Sequence, residues 1–124
     1  RASSMARIGT CMREGITTTL HSDFTMAPAQ PLMSMWVAVN RVNAKGDVMC
    51  PEERLTPEQA LEAITINAAR VIGLDHEIGS IRAGKKADFA VLREDPLTVD
   101  PMHIKDIDIL ATVFEGKVFP IEKP

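Results

Sequence analysis

The chain has 124 residues, is 45% hydrophobic and carries a net charge of −3, which is the size and composition of roughly one globular domain. Acidic and basic residues are interspersed and the aromatic residues are only four Phe and one Trp, so a nucleic-acid partner is not expected. No apolar run approaches the roughly 18 residues of a transmembrane helix and no signal-peptide core is visible, so no membrane partner is expected either.

The cysteines and the start of the chain also carry information. Cys11 and Cys50 lack the spacing of a zinc cluster and are too few for a disulfide framework. Reduced thiols are expected, which favours a reducing compartment such as the cytoplasm.

The chain opens with Arg1 and reaches its first predicted strand at Ile16. We expect a cut or truncated chain, although methionine removal or tag processing produces the same end.

The first predicted element is a helix at Ser3–Glu14. Ser3 or Ser4 can cap its start, and its apolar residues recur at spacings of three and four. Gly15 is a typical helix stop, and a β-branched run that favours a strand begins at Ile16. Helix, glycine turn and strand in this order are half of a βαβ unit.

The predicted strand runs into the polar residues His21, Ser22 and Asp23, a few residues before Pro28. If it lies in a parallel sheet or barrel, its carboxyl end is where such folds place their chemistry. The Asp23 carboxylate could there bind a metal or move a proton. The alternative is an ordinary surface turn, in which Ser-Asp is common.

Two further helices are predicted. One spans Leu32–Lys45, and its Met-rich apolar face is typical of core rather than of a cofactor site. Asn40-Arg41 could belong to a site or cap this helix, and the cap is favoured. The other begins at Thr56, with a proline next and a glutamine three residues on, and ends at Gly73. A packing or local hydrogen-bonding role is expected for Asn67.

After Gly73 the pattern becomes that of short strands. These are predicted at Ile78–Ile81, Ala87–Leu92, Ile107–Phe114 and Lys117–Phe119. The predicted class is therefore α/β, with residues 1–73 as an α/β part and residues 74–124 as a small β part. Four short strands make only part of a sheet, so this part is expected to need a partner.

The second half of the chain also carries a family likeness. The segments that carry it are Thr65–Leu74, Gly79–Ile81, Gly84–Leu92 and Val113–Val118. In this order they resemble the C-terminal region of the amidohydrolase superfamily, and the Asp95–Leu97 turn is similar to its YtcJ-like, or amidohydrolase-3, branch. The resemblance implies a (β/α)8 barrel with a β-sandwich built from both chain ends. Residues 1–73 would be the last helix–strand–helix of the barrel, and residues 74–124 the C-terminal strands of the sandwich.

The same resemblance implies a function. Its members use a divalent metal, here expected to be zinc, to hydrolyse a C–N bond of an amide, formamide or cyclic imide. Asp23 matches the aspartate that binds the metal or accepts the proton of water, and His21 and Ser22 would contact substrate. The family's His-x-His and its later metal-binding residues are absent, and His76 and His103 are expected to be solvated. The chain alone is therefore expected to be inactive and to hold no metal tightly.

The implied partners are a small amide-type substrate and either a second copy of the chain or the missing N-terminal part of a longer one. An alternative of a different class stays open, in which the chain is a non-catalytic structural or self-associating module that reuses the same fold piece. The substrate and the number of metals are not fixed by these residues.

Overall fold

The computed structural model describes residues 5–121. Four α-helices lie in the first part of the described chain, at Ile8–Arg13 (α1), Pro31–Asn40 (α2), Pro57–Ile64 (α3) and Ile66–Val71 (α4). Three strands lie in the second part, at Phe89–Leu92 (β1), Ile109–Phe114 (β2) and Lys117–Pro120 (β3). Short 3-10 helices occupy Pro51–Glu53 and Pro101–Asp106.

Helix α1 is shorter than the predicted Ser3–Glu14. It begins at Ile8, and the predicted caps at Ser3 and Ser4 lie outside the described residues. The end is as expected, because Gly15 adopts a positive φ of 73° and donates its N–H to the carbonyl of Met12.

The predicted strand after α1 is not formed. Residues 16–23 have no regular secondary structure, and no strand of the described chain flanks them. A strand in a barrel takes its backbone hydrogen bonds from two neighbouring strands, and here those neighbours are missing. β-branched side chains favour an extended backbone, but they do not replace the hydrogen bonds of a neighbouring strand.

Helix α2 ends earlier than the predicted Lys45. Arg41 follows its last residue with a left-handed φ of 54°, and its N–H donates to the carbonyl of Val37 at 2.9 Å. The favoured capping role of this position is therefore observed. The predicted apolar face is in the core, where Met35 is fully buried and Leu32 nearly so.

The third predicted helix begins as expected and then breaks. Thr56 and Gln59 form a reciprocal capping box, with Pro57 as the first helical residue. At Thr65 the backbone leaves helical geometry (φ −124°, ψ −94°), so α3 and α4 are separate. The buried positions of the two helices are small residues, chiefly alanines, and Val71 is 62% exposed.

The predicted strand Ile78–Ile81 is absent. Lys85 donates from Nζ to the carbonyls of Asp75 and Ile78 and to the hydroxyl of Ser80. These contacts, with the positive φ of 83° at Gly79, hold the segment as a loop. Its carbonyls are bound to an ammonium group rather than to a neighbouring strand.

The remaining strands form one antiparallel sheet in the order β1-β2-β3. Phe89 lies opposite Val113 in the first pairing, and Val113 lies opposite Val118 in the second. Strands β2 and β3 form a hairpin, and Glu115 and Gly116 between them have φ values of 47° and 82°, the signs of a type I′ turn.

One hydrophobic core joins the helices to the sheet, and Leu92 of β1 and Ile109 of β2 pack against it. Its buried members are Leu32, Met35, Ala38, Val39, Leu55, Ala60, Ile104 and Ile107. The fold is thus a mixed helix–strand arrangement with a three-stranded antiparallel sheet, and the barrel and sandwich remain predictions. Among residues 5–121, no helix is both long and apolar enough to cross a membrane.

Candidate functional site

The candidate site lies where residues 20–23 pass along α2. His21 and Ser22 line two adjacent cavities of about 270 and about 210 Å³, and Leu20 and Ser34 border both. The larger cavity is walled mainly by apolar side chains of α1, α2 and the 27–28 turn. Its polar lining includes the hydroxyl groups of Ser22 and Ser34 and the imidazole of His21. Its mainly apolar lining with a few polar groups resembles that of small-molecule sites, while its volume lies below their usual range of about 300–1,000 Å³.

Asp23 follows these residues but lines neither cavity. Its backbone has a left-handed φ of 51°, and its carbonyl accepts the N–H of Met26 at 2.6 Å, so a turn begins here. Its side chain is exposed. Within the described part of the chain, its carboxylate has no hydrogen bond and no ion pair, and is therefore available to a proton or a ligand.

His21 contacts Asp23 directly. The backbone N–H of Asp23 donates to His21 Nδ1 at 3.1 Å. A ring nitrogen that accepts a hydrogen bond carries no proton, so a neutral imidazole here has its proton on Nε2. Of the three predicted site residues, the structure thus brings His21 and Asp23 into contact, while Ser22 is half-buried between the two cavities.

These residues do not make a complete metal site by themselves. Nowhere in residues 5–121 do three His, Cys, Asp or Glu side chains come close enough to hold one ion, whereas a stable zinc site has three or four protein ligands. His76 contacts Glu77 at 3.5 Å and His103 contacts Glu94 at 3.0 Å, both with exposed rings. The described chain offers one carboxylate at the candidate site, which does not fit a metal unaided.

Asn67 makes one contact that the sequence did not reveal. It is buried, and its Nδ2 donates to the carbonyl of Thr18 at 3.3 Å. Its Oδ1 accepts a hydrogen bond from Arg70 at 3.1 Å. The expected local bond exists, but the contact with Thr18 joins α4 to the segment that leads into the site. No sequence pattern pairs positions so far apart.

Arg41 borders the larger cavity but is occupied elsewhere. Its guanidinium donates to the carbonyls of Met5, Ala6 and Met49 at 3.0 to 3.1 Å. It therefore connects Met5 and Ala6, which precede α1, and Met49 to the end of α2. With its donors engaged in this way, it acts as a structural tie at the cavity wall.

A family model described as "Amidohydrolase family" matches residues 1–120. N-substituted formamide deformylase of Arthrobacter pascens is 35% identical over 102 residues, which are 82% of this chain and 19% of that protein. Protein LONG AFTER FAR-RED 3 of Arabidopsis thaliana is 46% identical over 101 residues, 79% of this chain and 17% of that one. An imidazolonepropionase of Shewanella frigidimarina is 38% identical over 76 residues, 61% and 17% of the two chains.

One solved structure is similar to this chain in fold. The crystal structure of an amidohydrolase from Thermotoga maritima matches with a TM-score of 0.69 and 21% identity. The match covers 92% of this chain and 26% of the other. The chain spans less than a fifth of the length of the curated relatives named above.

Proposed function

The chain belongs to the amidohydrolase family, and we propose that it is the C-terminal part of a metal-dependent hydrolase that cleaves a C–N bond. The proposed substrate is a small amide, formamide or cyclic imide. Support for this class comes from the relatives, one of which is named N-substituted formamide deformylase. The single observation that carries the proposal for this chain is the unpartnered, exposed Asp23 carboxylate at the end of the segment that lines both cavities.

Asp23 is proposed as the proton acceptor of the reaction. In hydrolysis the oxygen of water bonds to the carbonyl carbon while the C–N bond breaks. Asp23 takes the proton that water loses and delivers it to the leaving nitrogen, so the carboxylate is regenerated. A carboxylate suits this role because it can accept and release a proton, and that of Asp23 has no hydrogen bond or ion pair among the described residues.

His21 and Ser22 are proposed to contact the substrate. Both line the two cavities, where the hydroxyl and the free edge of the ring provide polar contacts within an apolar wall. Apolar surface supplies affinity, and a few polar groups fix the orientation of a small ligand. This arrangement suits a substrate that has one polar amide and an apolar substituent.

The metal is proposed as a property of the whole enzyme. Asp23 would be one ligand of a divalent ion, expected to be zinc, whose other ligands are contributed by sequence outside this chain. Since the described residues supply at this site one carboxylate and at most one imidazole, fewer than the three or four protein ligands of a stable zinc site, the chain alone is proposed to be inactive. The relatives are more than five times longer than the segments that match them, which leaves room for the other ligands.

Membership of the amidohydrolase family also leads to a proposal for the architecture of the whole enzyme. Residues 1–73 are proposed as the last helix–strand–helix of a (β/α)8 barrel. The β-branched run from Ile16 would be completed as a strand by neighbours from the rest of the enzyme, with the turn at Asp23 following its end. Residues 74–124 are proposed as part of a β-sandwich. The match to a solved amidohydrolase over 92% of the chain supports this proposal.

A second candidate is a self-associating module without catalysis. Both faces of the sheet carry exposed apolar side chains: Val118 on the Val113 face is 57% exposed and Phe114 on the opposite face is 61% exposed. Such faces require a cover, either from a second copy or from the missing part of an enzyme. A reading frame that continues upstream into a His-x-His segment favours the enzyme, and a start codon directly before this stretch favours the module.

The test uses the complete natural reading frame, expressed with added zinc and assayed on a panel of amides, formamides and cyclic imides. Hydrolysis is expected, and Asp23→Asn should lower its rate by at least about 10², the usual scale for losing an acid–base group. Asp75→Asn is the matched control, because this aspartate lies in the loop after α4 and lines neither cavity. An unimpaired Asp23→Asn enzyme removes Asp23 from the mechanism.

A further inference from the structure

The backbone at Asp23 is held in an unfavourable conformation. Its φ of 51° lies in the left-handed region, which is sterically unfavourable for an ordinary L-residue. Aspartate tolerates this region better than most residues, yet the conformation persists only where the surroundings determine it.

The contact that the structure shows on the N-terminal side is the imidazole of His21. Its Nδ1 accepts the N–H of Asp23 at 3.1 Å, a side-chain-to-backbone bond that spans two residues. Asparagine and aspartate make the same bond when they start a turn. In the histidine ring Nδ1 occupies the place that Oδ1 has in asparagine. On the other side, the carbonyl of Asp23 accepts the N–H of Met26 at 2.6 Å.

We propose that His21 is a positioning residue, whose Nδ1 fixes the peptide plane before Asp23 and thereby the direction of the Asp23 carboxylate. The proposal rests on the proposed function, in which Asp23 handles the proton. It adds to the substrate contact of His21 and uses a different atom, because Nδ1 is engaged with the backbone while the Nε2 edge is left for the cavity. The two roles can therefore be separated.

The test compares His21→Leu with His21→Asn in the complete enzyme. Leucine removes the acceptor, whereas asparagine keeps an acceptor at the place of Nδ1 and removes the Nε2 edge. A single neutral hydrogen bond contributes about 0.5–1.5 kcal/mol, which corresponds to about twofold to tenfold. We expect His21→Leu to lower kcat and to speed hydrogen exchange of the Asp23 amide, each within this range.

His21→Asn should restore kcat and the exchange rate of the Asp23 amide to within about twofold of the wild type. Because both variants lack the Nε2 edge, both should have a KM above that of the wild type if this edge contacts substrate. Adding His21→Leu to Asp23→Asn should cause no further loss of kcat, because His21 acts through Asp23. The matched control is His76→Leu, at an exposed histidine of the loop after α4; it should change neither kcat nor exchange at Asp23.

The proposal is overturned if His21→Leu leaves exchange at Asp23 unchanged, or if His21→Asn has a kcat as low as His21→Leu. Failure of the proposed function has a different signature. In that case Asp23→Asn retains full activity, or no substrate of the panel is hydrolysed, while exchange at the Asp23 amide, measured without substrate, still decides whether His21 holds this turn.

Discussion

The carboxylate of Glu53 accepts the backbone N–H of Thr10 at 2.7 Å and the hydroxyl of the same residue. The two residues lie 43 positions apart, so the contact fixes α1 against the 3-10 helix Pro51–Glu53. Glu53 is only 4% exposed, and Arg13 adds an ion pair at 3.6 Å. A buried carboxylate with these donors is stabilised in its charged form.

Substituting Glu53 with glutamine should lower stability in a pH-dependent way. The hydrogen bonds from the Thr10 side chain and backbone hold the pKa of the Glu53 carboxyl below its ordinary value of 4.5. The unfolded chain therefore binds this proton first, so the stabilisation is complete above pH 4.5 and is lost as the pH falls through the lower folded pKa. We expect Glu53→Gln to lower Tm at pH 7 and to reduce the drop in Tm between pH 7 and pH 3.

Thermal unfolding followed by circular dichroism at several pH values measures both effects. Glu52→Gln is the control, because the neighbouring side chain is exposed and only its backbone carbonyl is used, by Arg13 at 2.9 Å. A Glu53→Gln protein with the Tm profile of the wild type would show that the contact with Thr10 contributes no pH-dependent stability.

A methyl group at Gly79 should be more damaging than one at Gly84. Both glycines have a positive φ, of 83° and 88°, so both substitutions carry the backbone cost of about 1 kcal/mol. At Gly79 a Cβ would also lie 2.6 Å from Cβ of Ala69, whereas at Gly84 no atom lies within 4 Å. We expect Gly79→Ala to cost about 1–3 kcal/mol more than Gly84→Ala, by analogy with overpacked cores, as measured by urea unfolding. Equal losses would mean that α4 moves aside freely.

The contrast between the capping box and residues 16–23 shows how far the sequence could predict the fold. The start of α3 at Thr56 was predictable because the cap is local: every group that it needs lies within three residues. A strand is not local, since its hydrogen bonds come from other segments. The β-branched run from Ile16 favours a strand by composition, but the described chain contains no partner strand for it, and the predicted strand is not formed.

The same distinction explains what could be predicted of the site. Asp23 was identifiable as a candidate because a carboxylate at the end of a strand-like run is a local pattern, strengthened by the family likeness. Its left-handed backbone and the bond from its N–H to His21 were not visible in the pattern, since histidine is not a usual residue for starting such a turn. The tie from Asn67 to Thr18 spans 49 positions and was beyond any spacing rule.

Removing the hydrogen bond between Asn67 and Thr18 should make residues 16–23, which lead into the site, less rigidly held. Asn67→Ala deletes the donor to the Thr18 carbonyl and leaves a buried gap, so a loss of about 1–3 kcal/mol in the free energy of unfolding is expected. Hydrogen exchange should also become faster for the amides of residues 16–23. Arg70→Ala is the control, because it removes the other partner of Asn67 from an exposed position and leaves the bond to Thr18. A larger effect from Arg70→Ala would place the important contact within α4.

The isolated 124-residue chain, purified without a histidine tag, should contain far less than one metal ion per chain. The physical reason is the ligand count, because residues 5–121 bring together no three side chains able to hold an ion, and Asp23 alone is an exposed single carboxylate. Elemental analysis after dialysis against zinc and then against buffer measures this directly, and the complete enzyme prepared in the same way is the positive control. Stoichiometric zinc on the isolated chain would mean that Asp23 is joined by further ligands within this chain, and would contradict the proposal that the site is completed from outside it.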